Sequence, residues 1–236
     1  MIQSIQIQTI DYCNRSCKWC PQKDEIRKTN GLMNEEMFYD ILDQAKNIPT
    51  LKTFKPFAMN EPFCDERMFR FLQDSLDGLS GVRIAIDSNG DFLRKPENVD
   101  KLNELLKDRD FKILINMYDE SSMRELRKIK LIDGNYHFSK KAFHGKLFWN
   151  RAGNLGGYKT RPQNRTNCFI QNTATINYLG QIVHCCCDYK FESILGHVDD
   201  GILGVYNSEP WVTYRRLFDE KNQEEIPLCK RCNRCD

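Results

Sequence analysis

Cys13, Cys17 and Cys20 stand in the stretch CNRSCKWC, three soft ligands within eight residues, directly after the alternating apolar run SIQIQTI. No fourth cysteine follows nearby to complete a tetrahedron. Three thiolates on one tight loop suit three irons of a 4Fe-4S cube and leave the fourth iron open to another ligand. Zinc more often takes paired C-x2-C units than C-x3-C-x2-C. Cysteines that cluster by chance are the bland alternative.

The remaining thiols are unevenly spread. Cys64 stands alone and reads as a packed or exposed free thiol, while Cys168, Cys185, Cys186, Cys187, Cys229, Cys232 and Cys235 all fall in the last third. Eleven cysteines are an odd number in a sequence with neither a basic n-region nor an apolar h-region at its start. A reducing, cytoplasmic compartment keeps such thiols unpaired, so metal binding at two sites is the simplest account. The four histidines show no spacing that requires a ligand or general-base role.

These loops need a scaffold, and 236 residues with 40% hydrophobic content fill one substantial core, with or without a small appendage. Charged residues make up 29% of the chain but the net charge is only +2, which implies neither a nucleic-acid nor a membrane partner. No segment reaches the roughly 20 apolar residues of a membrane helix.

Short strand-like runs at 4–10, 53–59, 82–87, 111–116, 135–138 and 146–149 alternate with helical stripes. The stripes are Met37, Ile41, Leu42, Ala45 and Ile48 behind the cap Asn34, then Met68, Phe69, Leu72 and Leu76, then Leu102, Leu105 and Leu106, then Met123, Leu126 and Ile129. That alternation predicts an α/β fold with a largely parallel sheet. Polar or cysteine-bearing sequence follows the strands as DYCNRSC, NEPF, SNGD, NMYDE and NRAGN, at the edge where parallel folds build their sites. From NLGGYKTRPQNRTN onward a linker leads to a second unit. ATINYLGQIVHC reads there as two strands around a turn at Leu179 and Gly180, and SEPWVTYRRLF as a helix capped by Ser208. If Cys185 and Cys186 lie on a strand, their side chains take opposite faces, with Cys187 returning to the first.

C-x3-C-x2-C after a first strand, with Trp19 before the last cysteine, resembles the radical S-adenosylmethionine (SAM) superfamily. The resemblance implies a partial (β/α)6 TIM-like barrel over residues 1–155. It also implies a 4Fe-4S cluster on Cys13, Cys17 and Cys20 whose open iron chelates SAM, and reductive cleavage to a 5'-deoxyadenosyl radical that takes a hydrogen atom from the substrate. MNEPF matches the Glu-Pro end of the family's Gly-Gly-Glu-Pro segment, which puts Asn60 and Glu61 by the SAM amino group. Ser88 in DSNGDFL corresponds to the ribose contact and Trp19 lies near the adenine. Asn116 and Arg151, at the same rim, are candidates to hold SAM or substrate, with a loop cap and a surface cation as their bland readings.

The last third resembles the SPASM and twitch subfamilies, in which Cys168, Gly180 and Cys185 reproduce C-x(9–15)-G-x4-C and CKRC supplies Cys229 and Cys232. This implies a small β-hairpin plus helix domain at 156–236 with one auxiliary 4Fe-4S cluster, Cys235 being a surplus thiol that could replace one of the four ligands. The leading expectation is a two-electron dehydrogenation of a sugar-like or aminocyclitol alcohol, with the second electron passing to the auxiliary cluster. An external one-electron reductant such as flavodoxin or ferredoxin would feed the enzyme. The alternatives are a maturase crosslinking or epimerising a ribosomal peptide, and a non-catalytic iron-sulfur electron-transfer protein.

Overall fold

A computed structural model describes residues 1–17, 20–24, 29–139, 150–155 and 168–232. Five short strands carry the first two thirds: β1 (Ser4–Ile7), β2 (Thr53–Lys55), β3 (Arg83–Ser88), β4 (Phe111–Asn116) and β5 (Tyr136–Ser139). The last third adds β6 (Thr173–Ile176), β7 (Gln181–Val183) and β8 (Ile194–His197). One eight-stranded sheet results, in the order β5-β4-β3-β2-β1-β6-β7-β8. From β5 to β6 every neighbouring pair is parallel, whereas β7 pairs antiparallel with both β6 and β8.

The mixed α/β expectation therefore holds, with a register that binds the two parts of the chain: Ser4 pairs with Thr53 on one side and Thr173 on the other. The run at 146–149, expected to be a strand, lies outside the described residues, as does most of the linker. Strand β2 is shorter than 53–59 because Pro56 brings no N–H to a ladder.

Helices α1 (Glu35–Lys46), α2 (Met68–Gly78), α3 (Pro96–Leu106) and α4 (Glu120–Leu126) connect the parallel strands. Asn34 caps α1 as expected, its side chain accepting from the Glu36 amide at 2.8 Å. The buried face of α1 is Phe38, Ile41, Leu42 and Ala45, and that of α2 is Met68, Phe71, Leu72 and Ser75. Both are rotated from the faces that spacing indicated, with Met37, Phe69 and Leu76 only half-buried. The reason is aromatic: Phe38 stacks on Phe71 at 3.9 Å and meets Phe54 of β2 edge-on. Helix α4 stops at Leu126, so Ile129 belongs to the turn after it.

After β8 come α5 (Ile202–Tyr206), α6 (Glu209–Asp219) and α7 (Pro227–Arg231). Ser208 occupies the cap position of α6, but its hydroxyl donates back to the Val205 carbonyl at 2.7 Å rather than capping. The β6–β7 turn closes where the sequence placed it. Gly180 has φ +80°, and a Cβ there would stand 2.6 Å from His197 Nε2.

Candidate functional site

The backbone leaves β1 and turns at Asp11, which accepts from Gln8 Nε2 and Thr29 Oγ1. The three-cysteine loop follows. It is fastened to the end of β2 by the Glu61 amide, which donates to the Tyr12 carbonyl at 3.0 Å, and by Gln22, whose side chain donates to the Met59 carbonyl. Cys13, Cys17 and Cys20 are half-buried, and the Cys20 amide closes the loop onto the Cys17 carbonyl at 2.9 Å. Burial pushes the Cys13 thiol up to about 12 and the Cys17 thiol up to about 11. These sulfurs are neutral until a metal displaces their protons, and three of them on one partly open loop fit a cluster with one uncommitted iron. Trp19 lies outside the described residues.

Glu61, Ser88 and Asn89 form one buried unit. Ser88 Oγ donates to Glu61 Oε1 at 2.6 Å and the Asn89 amide to Oε2 at 2.8 Å. Burial outweighs these hydrogen bonds and raises the Glu61 carboxyl to about 7. Asn60 accepts from the Ala58 amide, while its Nδ2 is buried with no hydrogen-bond partner among the described residues. An orphaned buried donor beside the loop suits a polar ligand. The structure thus brings Asn60, Glu61 and Ser88 together beside the cysteines, and Asn116 closes β4 on the same side.

Two residues here escaped sequence reasoning. Tyr118, two positions beyond Asn116, has its hydroxyl pushed above the usual range by burial and by Cys17, Glu61, Cys20 and Cys13. Cys64 is not remote either: burial and then Glu61 raise its thiol to about 11, and the Asn14 amide donates to it. NMYDE and NEPFC each carried the signal, since both follow strands.

The second set of thiols sits on a turn. Strand β7 ends at Val183, so residues 185–187 do not alternate faces, and the expectation that Cys186 points away from Cys185 fails. Their three Sγ atoms lie within 4.8 Å of one another. The Cys187 amide donates to Cys185 Sγ at 3.3 Å. Hydrogen bonding among the three holds Cys185 well above the ordinary thiol range, and burial does the same for Cys187. Cys185, Cys186 and Cys232 pack on a small apolar core of Met59, Ala152, Val183, Cys187, Tyr189 and Leu228. Cys229 and Cys232 close α7, the Cys232 amide donating to the Cys229 carbonyl, and Cys168 precedes the turn into β6. Cys235 lies outside the described residues.

His184, which sequence spacing gave no role, is fully buried with Nε2 3.6 Å from Cys229 Sγ. Burial lowers it to about 4, so the imidazole is neutral. A dense set of buried and half-buried thiols with one neutral imidazole suits iron-sulfur ligation.

Residues 150–155 join the two sets. Asn154 Nδ2 donates to the Cys187 carbonyl at 2.9 Å, and Asn150 Nδ2 to the Arg231 carbonyl at 2.6 Å. Arg151 sits between them at φ +51° and is largely buried. Burial opposes its charge, but Tyr189, Cys187, Cys186 and Cys20 outweigh it and hold the guanidinium above its usual range. Tyr189 is pushed up by burial and then by Cys20 of the first loop. One cation and one phenol thus feel both groups of cysteines.

Residues 168–235 match the SPASM family, an iron-sulfur cluster-binding domain. The SPASM match covers every C-terminal cysteine. Over 99% of its length the chain is 21% identical to the S-adenosyl-L-methionine-dependent 2-deoxy-scyllo-inosamine dehydrogenase of Niallia circulans, covering 93% of that protein. Its fold is similar to that of BtrN in complex with AdoMet and 2-DOIA, with a TM-score of 0.77 at 20% identity over 99% of this chain and 94% of that one. A second similar structure is anSMEcpe with bound AdoMet, with a TM-score of 0.61 at 13% identity over 97% and 88% of the two chains. The mixed α/β fold with its large sheet is similar to that of BtrN and consistent with the expected partial barrel followed by a C-terminal region. No helix among the described residues is long and apolar enough to cross a membrane.

Proposed function

We propose that the chain is a radical SAM oxidoreductase that dehydrogenates a sugar-like or aminocyclitol alcohol. Residues 1–155 would form the SAM-binding unit and 156–236 the auxiliary-cluster unit. The observation that carries the reading is convergence: Gln22 of the three-cysteine loop donates to the Met59 carbonyl, and Met59 belongs to the small apolar core on which Cys185, Cys186 and Cys232 pack. Similarity along nearly the whole chain to a SAM-dependent dehydrogenase supports it.

When bound, the first cluster with SAM supplies hydrogen-atom abstraction, and the second an acceptor for the remaining electron. Cys13, Cys17 and Cys20 would hold the first, Cys168, Cys185, Cys229 and Cys232 the second. Asn60 and Glu61 would flank the amino-acid end of SAM, the Glu61 carboxyl as the partner of its amino group and the unpartnered Asn60 Nδ2 as a donor that an acceptor oxygen of the ligand would satisfy. Ser88, fixed by Glu61, would meet the ribose, Trp19 the adenine, and Asn116 the adjoining edge. Arg151 keeps its charge in the buried gap, so it orients an alcohol oxygen and stabilises negative charge developing there rather than accepting a proton. The neutral Tyr189 hydroxyl would supply a hydrogen-bond donor to the same oxygen.

Anaerobic reconstitution, chemical reduction and incubation with SAM and a panel of aminocyclitols and sugar alcohols test this reading. Substrate-dependent 5'-deoxyadenosine together with a ketone product is expected. Deoxyadenosine formed with a peptide in place of the alcohols would assign the chain to peptide maturation. No SAM cleavage from fully loaded protein would leave an electron-transfer protein.

A further inference from the structure

The cysteine loop carries a side chain that reaches away from the sulfurs. Arg15, between Cys13 and Cys17, donates from Nε to Asp91 Oδ2 and from Nη2 to Asp91 Oδ1, both at 2.6 Å. Its Nη1 donates to Asp119 Oδ2 at 2.8 Å, and Nη2 also reaches Ser122 Oγ at 2.7 Å. The guanidinium lies 5.8 Å from the Tyr118 ring centroid, and the side chain is 15% exposed. Asn14 doubles the attachment: its Nδ2 donates to Asp91 Oδ2 at 3.0 Å, and its Oδ1 accepts from Asn89 Nδ2 at 2.8 Å.

The anchors are not arbitrary. Asp91 opens the turn after β3, three residues beyond Ser88, and its amide donates to Asn89 Oδ1 at 2.9 Å. Asp119 caps α4, just after β4 and Tyr118, accepting from the Ser122 amide at 2.7 Å. Asn89 in turn donates its amide to Glu61. A continuous hydrogen-bonded chain therefore runs from the loop through Asp91 and Asn89 to Glu61.

An isolated exposed ion pair contributes little to stability. A bidentate fork with a second carboxylate adds geometric restraint, because the planar guanidinium fixes direction as well as distance. Strands β3 and β4 are already tied by their own ladder and need no help from residue 15. What the fork adds is the lateral position of the loop relative to Glu61, Ser88 and Asn89.

We propose that Arg15 is a positioning residue: through Asp91 and Asp119 it fixes the three-cysteine loop, which would hold the cluster, in its lateral position relative to Glu61 and Ser88, which would hold SAM. This rests on the SAM-dependent reading above. Displacing a reacting group by about 1 Å lowers rates by as much as about 100-fold, so a clamp on this loop matters more to SAM than to folding.

The test compares R15A and R15K with R70A, which removes a surface ion pair to Glu35 at 2.6 Å far from the loop in the structure's hydrogen-bond network. Each reconstituted protein is measured for iron, for the change in the electron paramagnetic resonance spectrum of its reduced cluster on adding SAM, and for KM and kcat with SAM. Hydrogen exchange of peptides spanning residues 11–24 gives a readout independent of turnover. R15A is expected to load iron as wild type does, to exchange faster in that peptide, to raise KM for SAM about tenfold and to blunt the spectral change. R15K, which keeps the charge but not the fork, falls between, and R70A matches wild type. A KM within about twofold of wild type and a full spectral change in both Arg15 variants overturn the proposal. If R15A fails to load iron, R15K decides by the same limits. If wild type itself shows neither a spectral response nor SAM cleavage, the functional reading fails and this one falls with it; normal wild type with unaffected variants sinks the positioning role alone.

Discussion

The two cysteine regions are built by opposite means. The N-terminal loop is polar in its support: Glu61, Arg15, Asn14 and Gln22 tie it to the ends of β2, β3 and β4. The C-terminal set is apolar in its support, with contiguous thiols on a turn packed against Tyr189, Val183 and Leu228 and two more on the short α7. A loop held by the protein's own hydrogen bonds can leave one iron uncommitted without losing shape. A turn whose thiols pack into a small core gains order from the metal they hold. The contrast teaches that the first site is preformed for a ligand, while the second is completed by its cluster.

The sharpest break in that comparison is Cys17→Ala. Loss of one of three ligands should reduce 5'-deoxyadenosine formation to background, while iron falls from roughly eight to roughly four per chain because the second site is untouched. Normal deoxyadenosine in the loaded variant would remove the cluster from this loop.

The opposite lesion comes next in size. Cys232→Ala should retain some SAM cleavage but lose the oxidised product and half of the iron. Its thermal transition should also broaden, with faster hydrogen exchange in α6 and α7, since ligation there contributes to folding. Stripping both clusters with a chelator should give the same pattern: protection lost first at the C-terminal helices and last in β1–β4. Equal loss in both regions would mean that the N-terminal loop is no better preformed.

Periodicity in the sequence revealed the parallel strands, the helix start at Asn34, and the three-cysteine loop at a strand end, because each depends on local pattern. Rotation of α1 and α2 was not legible: Met37 and Phe38 satisfy a helical stripe almost equally, and only the partner ring of Phe71 selects Phe38. The same limit hid the C-terminal turn. Val-His-Cys-Cys-Cys continues a strand by composition, but pairing ends at Val183, so alternation was the wrong rule for Cys185 and Cys186. Tyr118 and Cys64 follow strand ends in NMYDE and NEPFC, but their nearness to the cysteine loop is set across long sequence separations, and His184 carries no local signal at all.

A smaller effect probes the polar support itself. The folded chain holds the Glu61 carboxyl near 7 against an ordinary value of 4.5. Between those two values the folded form carries a proton that the unfolded form lacks, so ligand-free stability falls as pH rises from about 4.5 to about 7 and changes no further above it. The decline should amount to roughly 3 kcal/mol at most and should be missing in Glu61→Gln. Denaturant unfolding of both proteins at several pH values measures it. A wild-type curve that rises with pH over that window would show that the hydrogen bonds from Ser88 and Asn89 outweigh burial.

The smallest effect separates the crowded thiols. Three Sγ atoms within 4.8 Å are too many for one corner of a cluster, and Cys185 is the proposed ligand because its spacing from Cys168 and Gly180 resembles the SPASM pattern. Cys187 is buried in the small apolar core, so its loss to Ala removes packing and should lower stability by about 1 kcal/mol without loss of iron. Cys186 is half-buried at the bend of the turn, where Ala fills less space but leaves the Cys187 amide bonded to Cys185 Sγ. Cys186→Ala is therefore expected to keep iron, SAM cleavage and product within experimental error of wild type, whereas Cys185→Ala loses the second cluster. Iron analysis of the three single variants, each reconstituted side by side, decides the matter. If Cys186→Ala alone loses half of the iron, the cluster takes its ligand from the bend of the turn, and the C-terminal site is reorganised by metal further than its apolar packing indicates.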